Sequence, residues 1–141
     1  KATTEMIIKK VEQACKLVEK KGKKAFREFK GKRSNFLFAG TYIWINDLDG
    51  YMLMHPIKPK MVGNNYMSLK DANGKRFFVE MINTIIEENE GWVEYVWPKP
   101  GEEEPSLKVS YVKKAMCDGK EVLVGSGTYD ISKEEIKKLS H

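Results

Sequence analysis

The side chains of this chain that could do chemistry are few, and their types do not assemble a catalytic centre. The sequence has two histidines, and because His141 is the last residue, His55 stands alone in the body of the chain. One histidine with Cys15 and Cys117, which are far apart in sequence, lacks the ligand spacing of a zinc site. No Gly-rich phosphate loop or nucleophile elbow occurs. We therefore expect no enzyme activity, no catalytic residue, no metal and no cofactor.

The segment Asn46-Asp-Leu-Asp-Gly50 resembles the opening of a calcium-binding loop. It lacks the later ligands and the closing glutamate that such a loop needs. A hairpin turn is the favoured interpretation, since Asp-Gly is a frequent turn dipeptide between strands.

A second group of residues has the chemistry of a small-ligand pocket. Aromatic walls with a few hydrogen-bond donors suit a small molecule, and Lys, His and Tyr side chains can all donate to a carboxylate. The candidate ligand-binding residues are Tyr42, Trp44, His55, Tyr95, Trp97, Lys108 and Tyr111. Ordinary sheet packing, with Tyr and Trp tips that reach solvent, is the alternative explanation.

The hydrophobic pattern predicts the elements that must position these residues. An apolar stripe at helical spacing predicts an amphipathic helix over residues 3–20, followed by a short second helix from Ala25 to Phe29. This stripe can pack on its own domain or against a partner helix. Alternation predicts strands at 41–46, 51–55, 91–97, 107–116 and 121–129.

The remaining segments are predicted to connect these strands. Residues 56–70 form a loop, Asp71 is a plausible N-cap of a helix of about 14 residues, and Gly91 fits its end. Asp130 or Ser132 caps a final basic helix. Because most links between neighbouring strands are hairpin-length, we predict an α+β fold with a five-stranded antiparallel sheet and helices packed on it.

Composition limits the class of protein. The 141 residues carry a net charge of +5, and no apolar run approaches the ~20 residues of a membrane-spanning helix. Three Trp, six Tyr and six Phe argue against disorder, and two Cys against a disulfide scaffold. Residues 1–33 carry twelve basic and four acidic side chains (+8), whereas residues 34–141 carry thirteen and sixteen (−3). A solvated basic helix explains this better than binding to nucleic acid or anionic lipid.

Several linked stretches resemble one known family, the single Cache domains of type 2. The hairpin YIWINDLDGYMLMHP (42–56), the loop MVGN (61–64) and the helix start DANGKRFF (71–78) match that family in order. The later strands GWVEYVWPKPG (91–101) and KVSYVK (108–113) match it as well, so the resemblance extends over roughly residues 5–135.

The resemblance implies an extracytoplasmic sensor domain with a PAS-like sheet, of the kind found in chemoreceptors and sensor histidine kinases. It implies one ligand-binding domain over 1–141, with N-terminal helices in 1–33, sheet and pocket in 40–129, and a C-terminal helix in 130–141. Membrane-spanning segments are expected on both sides of it in the parent protein. Members of this type resemble receptors for short carboxylic acids such as acetate, propionate, pyruvate or lactate.

The resemblance also assigns roles to the candidate residues. His55 corresponds to the family's His-Pro, Trp44 to an aromatic position, Tyr95 and Trp97 to a Tyr-x-Trp pair, and Lys108 and Tyr111 to Lys-x-x-Tyr. The last two have opposite strand parity, so a regular strand cannot turn both towards one pocket.

Two functional hypotheses follow. The first is a sensor domain that binds a small organic acid, homodimerises through the N-terminal helix, does not bind nucleic acid and signals through its terminal helices. The second is a free-standing secreted binding module with the same fold and no transmembrane signalling. The flanking sequence distinguishes the two, because only the receptor needs apolar spans beside the domain.

Overall fold

The computed structural model describes residues 1–139, with helices and strands in the predicted order. The α-helices are α1 (Thr4–Lys21), α2 (Phe77–Glu88) and α3 (Lys133–Leu139), and 3-10 helices cover Gly22–Phe29 and Pro59–Met61. The strands are β1 (Trp44–Asp47), β2 (Met52–Met54), β3 (Glu90–Pro98), β4 (Pro105–Cys117) and β5 (Lys120–Thr128). The C-terminal helix was predicted over 130–141, and residues 140–141 lie outside the described range.

The strands form one antiparallel sheet in the order β2-β1-β5-β4-β3. The long strand β4 pairs with β3 and with β5 without a break in register. The last strand, β5, pairs with β1 and so joins the first hairpin to the β3–β4–β5 meander. The predicted α+β fold with a five-stranded antiparallel sheet is confirmed.

The two faces of the sheet carry separate hydrophobic cores, because side chains alternate along each strand. On the helix face, Ile43 and Ile45 pack with the buried residues of α1 and with Phe29. On the cavity face, Trp44 packs with the buried residues of α2, and Tyr42 lies at the edge of that cluster. The predicted alternation of the first strand therefore decides which residues can reach a pocket.

The apolar stripe of α1 is used within the domain. Ile7, Val11, Ala14 and Val18 are completely buried on the helix face of the sheet. Of the two uses that the sequence left open for this stripe, packing on its own domain is confirmed, and the covered stripe is not available to a partner helix. A homodimer through α1 would have to use the helix's exposed and largely polar face.

Two end signals of the helix α2 were misassigned. Asp71 does not cap α2, which begins at Phe77 after Arg76. The Asp71 carboxylate instead accepts the amides of Asn73 and Lys75 through Oδ1, and the amide of Val96 through Oδ2. It thereby closes a turn and fastens that turn to β3. The helix ends at Asn89 in a left-handed conformation (φ 70°), and Gly91 belongs to β3.

At the other end of the chain, Ser132 is the observed cap of α3, because its hydroxyl accepts the Glu135 amide. Asp130, the other predicted cap, instead accepts the amide of Ala2 through Oδ2 at 2.9 Å. This bond ties the start of the chain to the segment that leads into α3.

Three further observations bear on the class of protein. Cys15 and Cys117 are both buried free thiols. Asp47 accepts the amides of Asp49 and Tyr51, so the calcium-like segment is used as the hairpin turn. Within residues 1–139, no helix is long and apolar enough to cross a membrane, and no His, Cys, Asp and Glu side chains cluster as a metal site.

Candidate ligand-binding site

A cavity of about 70 Å³ lies on the cavity face, between the sheet, the start of α2 and the loop after β2. It has room for about five water molecules. Its lining residues are Tyr42, Trp44, Met52, His55, Lys58, Met61, Leu69, Phe77, Phe78, Tyr95, Trp97 and Lys108. The structure therefore brings together six of the seven candidate residues and leaves out Tyr111.

The pairing of β3 with β4 explains which residues reach the cavity. Tyr95 lies directly opposite Lys108 in the ladder, and residues opposite each other in an antiparallel pair share a face. Trp97, two residues further along β3, points the same way.

Tyr111 lies on the helix face, opposite Trp92, and its hydroxyl donates to Glu90 Oε2. Because β4 contains no bulge that could reverse its parity, Tyr111 lies outside this cavity, and its predicted place in the pocket needs correction.

His55 presents one defined donor to the cavity. Its Nδ1 accepts the amides of Lys58 at 2.9 Å and Ile57 at 3.3 Å. Burial, followed by the charges of Lys58 and Lys108, lowers the pKa of His55 to about 4. The ring is therefore neutral at pH 7, and because Nδ1 accepts, the proton sits on Nε2.

Lys108 is the principal charge at the cavity. Its Nζ lies 5.9 Å from the Tyr95 ring centroid and 5.4 Å from that of Tyr129, and none of the ion pairs within residues 1–139 includes it. Burial, and then repulsion from Lys58, lowers the pKa of Lys108 to about 8. The ammonium is mostly charged at pH 7, and two tyrosine rings are weak compensation for a buried cation.

Aromatic side chains fix the apolar wall opposite these donors. Phe77 stacks on Tyr95 at 4.4 Å between centroids, and the Tyr95 hydroxyl is held by Ser110 at 2.9 Å. The Trp44 indole N–H donates to Asn46, and its ring covers Gly125 so closely that a Cβ there would come within 2.5 Å. Because the polar atoms of Tyr95 and Trp44 are already hydrogen-bonded within the protein, both side chains offer the cavity apolar surface.

Tyr42, unlike Tyr95 and Trp44, has a polar group that is available as a donor to a ligand. Its ring lies 4.7 Å from that of His55, and burial, followed by the Tyr129 hydroxyl, raises the Tyr42 pKa to about 12. It therefore stays protonated across the physiological range and can donate a hydrogen bond. Together with His55 and Lys108, it gives the cavity three buried or half-buried donors, and Lys58 adds a second, exposed cation to the lining.

Some lining residues were not recognised as candidates in the sequence. Phe77 and Phe78 were assigned only to the helix stripe, and the structure places both in the cavity-face core and in the lining of the cavity. Lys58 and Met61 come from the 56–70 loop, whose lack of periodicity gives no signal of where its side chains point.

The cavity adjoins a wider surface groove of about 860 Å³. The two share Tyr42, Lys58, Trp97 and Lys108. The opposite wall of the groove comes from the β3–β4 loop and the end of β5, including Tyr129. A small molecule can therefore reach Lys108 from the surface through this groove.

With this geometry established, comparison with known proteins identifies the family. The chain matches the Single Cache domain 2 family over residues 2–141, and it belongs to that family. The family predicted from the sequence stretches is thus confirmed.

Two curated relatives share this region. The methyl-accepting chemotaxis protein McpP of Pseudomonas putida is 38% identical over 100 residues, which is 70% of this chain and 18% of that protein. The sensor histidine kinase MctS of Rhizobium johnstonii is 31% identical over 88 residues, 62% of this chain and 18% of that protein. The chain spans less than a fifth of the length of either relative.

Two solved structures have the same fold over most of both chains. The periplasmic sensor domain of a chemotaxis protein is 34% identical with a TM-score of 0.70, covering 91% of this chain and 97% of that one. A Cache chemosensory domain, solved as the structural basis for carboxylic acid recognition, is 32% identical with a TM-score of 0.72, covering 91% and 93%. The PAS-like Cache architecture is confirmed, and the chain is a sensor domain of the kind found in chemotaxis proteins and histidine kinases.

Proposed function

We propose that residues 1–141 form one non-catalytic ligand-binding domain that recognises a small carboxylic acid outside the cytoplasm. The parent protein would be a membrane-anchored chemoreceptor or sensor kinase, and binding would bias the position of the terminal helices. The acid class is that of acetate, propionate, pyruvate and lactate.

One observation carries this proposal: the ammonium of Lys108 faces an aromatic cavity that is lined by no acidic residue. A carboxylate placed there would pair with the ammonium and accept from His55 Nε2 or the Tyr42 hydroxyl. Charge-assisted hydrogen bonds of this kind are roughly twice as strong as neutral ones. The apolar wall of Trp44 and Phe77 would hold the alkyl part of the acid.

Size narrows the ligand class further. Acids with two to three carbons have about four to six non-hydrogen atoms, which suits space for about five water molecules. A longer acid would have to extend into the groove past Trp97. The similar Cache domain solved for carboxylic acid recognition supports the same class of ligand.

The receptor setting is proposed from the relatives. Both curated relatives are several times longer than this chain, and both are signalling proteins. The bond between Ala2 and Asp130 holds the two terminal segments together, as a domain would need if both led towards one membrane. Apolar spans on either side of the domain in the full-length protein would distinguish this receptor from a free-standing secreted module.

Calorimetric titration with acetate, propionate, pyruvate and lactate at pH 7 tests the ligand class. We expect saturable binding of at least one acid and a thermal shift that grows with its concentration. The variant Lys108→Met should weaken that binding by about tenfold or more, because it removes the charged partner.

A matched control lies on the same strand. Lys114 is ion-paired with Glu121 and does not line the cavity, so Lys114→Met should leave the affinity unchanged. Absence of binding across the four acids, or an equal loss in both variants, would contradict the proposal.

A further inference from the structure

Tyr129 connects the cavity to the ends of the chain, although nothing in the sequence singled it out. It follows the last residue of β5, and its half-buried ring lies under the Lys108 ammonium at 5.4 Å. A second cation, Lys99 Nζ, lies 5.8 Å from the same ring. The Tyr129 hydroxyl donates to the carbonyl of Pro98, the last residue of β3, at 2.9 Å.

The residue next to it holds the two terminal segments together. Asp130 is exposed, yet its carboxylate accepts the amide of Ala2 at 2.9 Å, across nearly the whole length of the chain. Ala2 and Ile131 are both buried in the helix-face core, so this junction is packed as well as hydrogen-bonded. A shift of the backbone at Tyr129 is therefore passed directly to both ends of the domain.

A carboxylate in the cavity would compete with the Tyr129 ring for the Lys108 ammonium. In the structure this ammonium makes cation–π contacts with the Tyr95 and Tyr129 rings. A carboxylate in the cavity is the stronger partner and would draw the ammonium away from the Tyr129 ring. Tyr129 would then lose one of the three contacts that hold it, the one to β4, and keep those to Lys99 and Pro98.

We propose that Tyr129 couples acid binding at Lys108 to the Asp130–Ala2 junction, so that ligand binding loosens the tie between the two terminal segments. This inference rests on the proposed function, since it takes a carboxylate as the competitor for Lys108. Linkage makes the coupling reciprocal: breaking the junction must tighten acid binding by the same factor by which acid binding weakens the junction.

A double-mutant cycle with propionate as the probe measures this coupling by calorimetry. Asp130→Ala removes the bond to Ala2 at an exposed position, and we expect it to tighten propionate binding by about fivefold or more. In the Tyr129→Leu background the same change should alter the affinity by less than about twofold, because the ring that transmits the effect is gone. Tyr129→Phe keeps the ring and should restore the full effect.

Tyr66→Leu is the matched control. Tyr66 is a half-buried tyrosine that contacts Phe78 and lies outside the lining of the cavity, so Asp130→Ala should retain its full effect there. An equal effect of Asp130→Ala with and without the Tyr129 ring would overturn the coupling and leave the proposed function intact. If none of the small acids binds the wild-type chain, the proposed function fails and the coupling with it.

A second measurement does not depend on how well the leucine variant folds. In an NMR titration of the wild-type chain with propionate, the amides of Asp130 and Ile131 should shift with the same dissociation constant as the amide of Val109, beside Lys108. Shifts confined to Val109 and its cavity neighbours would overturn the inference.

Discussion

The two faces of the sheet treat similar side chains in opposite ways. On the helix face, Lys113 is paired with Glu90 at 3.1 Å and Glu12 at 3.9 Å, and Tyr111 donates to Glu90. Burial alone would lower the pKa of Lys113, but Glu90 and Glu12 together raise it. On the cavity face, Lys108 lies beside the Tyr95 and Tyr129 rings, and burial followed by repulsion from Lys58 lowers its pKa to about 8.

This difference separates a structural face from a binding face. The helix face is closed by α1, and its Lys113 is compensated by Glu90 and Glu12 within the fold. The cavity face keeps a cation without an acidic partner beside a space of about 70 Å³. A bound anion can therefore pair with Lys108 on the cavity face, whereas Lys113 on the helix face already has its acidic partners.

The largest expected effect compares a phenylalanine from each face. Phe29→Ala removes a completely buried ring from the helix face and should lower the free energy of unfolding by about 3–5 kcal/mol. Phe78→Ala should cost about half of that, because Phe78 borders the cavity and has fewer packing partners on that side. Urea denaturation followed by circular dichroism measures both, and equal losses would contradict the distinction between the faces.

The next effect concerns the turn that supports β3 beside the cavity. Asp71→Ala leaves the amides of Asn73, Lys75 and Val96 without their acceptor and should lower the free energy of unfolding by about 2 kcal/mol. Burial raises the pKa of Asp71, but these bonds outweigh it and hold the pKa below its usual value.

The sign of the pH dependence follows from this lowered pKa. The stabilisation is complete above the unfolded-state pKa of about 4, and it is lost as the pH falls through the lower folded-state value. Urea denaturation between pH 2 and 6 should therefore show a shallower acid limb for Asp71→Ala than for wild type. Parallel acid limbs would contradict this role.

A third expected effect is the pH dependence of acid binding. If binding needs the charged form of Lys108, with a pKa of about 8, the affinity for propionate should fall about tenfold between pH 7 and pH 9. His55, with a pKa of about 4, adds no step between pH 6 and 7. Calorimetry at fixed ionic strength checks this, and Lys108→Arg, which stays charged, should flatten the profile.

The smallest expected effect has opposite signs on the two faces. Lys108→Met should raise the free energy of unfolding at pH 7 by about 1 kcal/mol, because it removes a buried cation without an acidic partner. Lys113→Met should lower it by about 1 kcal/mol, because Glu90 and Glu12 lose their partner. If both variants changed the free energy of unfolding in the same direction, the contrast between an unpaired Lys108 and a paired Lys113 would be contradicted.

Regular elements were the most predictable part of the fold. α1, α2 and the three long strands follow from periodicity, because their apolar residues repeat at the spacing of the structure that buries them. Asp71 and Gly91 were assigned to the ends of α2, yet Asp71 holds a turn and Gly91 continues a strand. Turn and cap residues share a composition, so their types alone do not tell the two uses apart.

The candidate site was predictable to the extent that strand parity defines it. Tyr42, Trp44, Tyr95, Trp97 and Lys108 share the cavity face as alternation requires. The loop residues Lys58 and Met61 and the coupling residue Tyr129 were not predictable, because their positions depend on contacts between distant segments.

The sequence by itself determined the family, the order of the elements and the rule that Lys108 and Tyr111 face opposite ways, since these depend on local spacing and on motifs within short stretches. Only the tertiary structure decided which of the two faces the cavity. α1 covers one face with an apolar stripe and brings Glu12 to Lys113, whereas α2 and the 56–70 loop cover the other and bring no acid to the cavity beside Lys108. Whether a lysine has an acidic partner depends on contacts between residues that are distant in sequence, and local residue spacing does not predict such contacts.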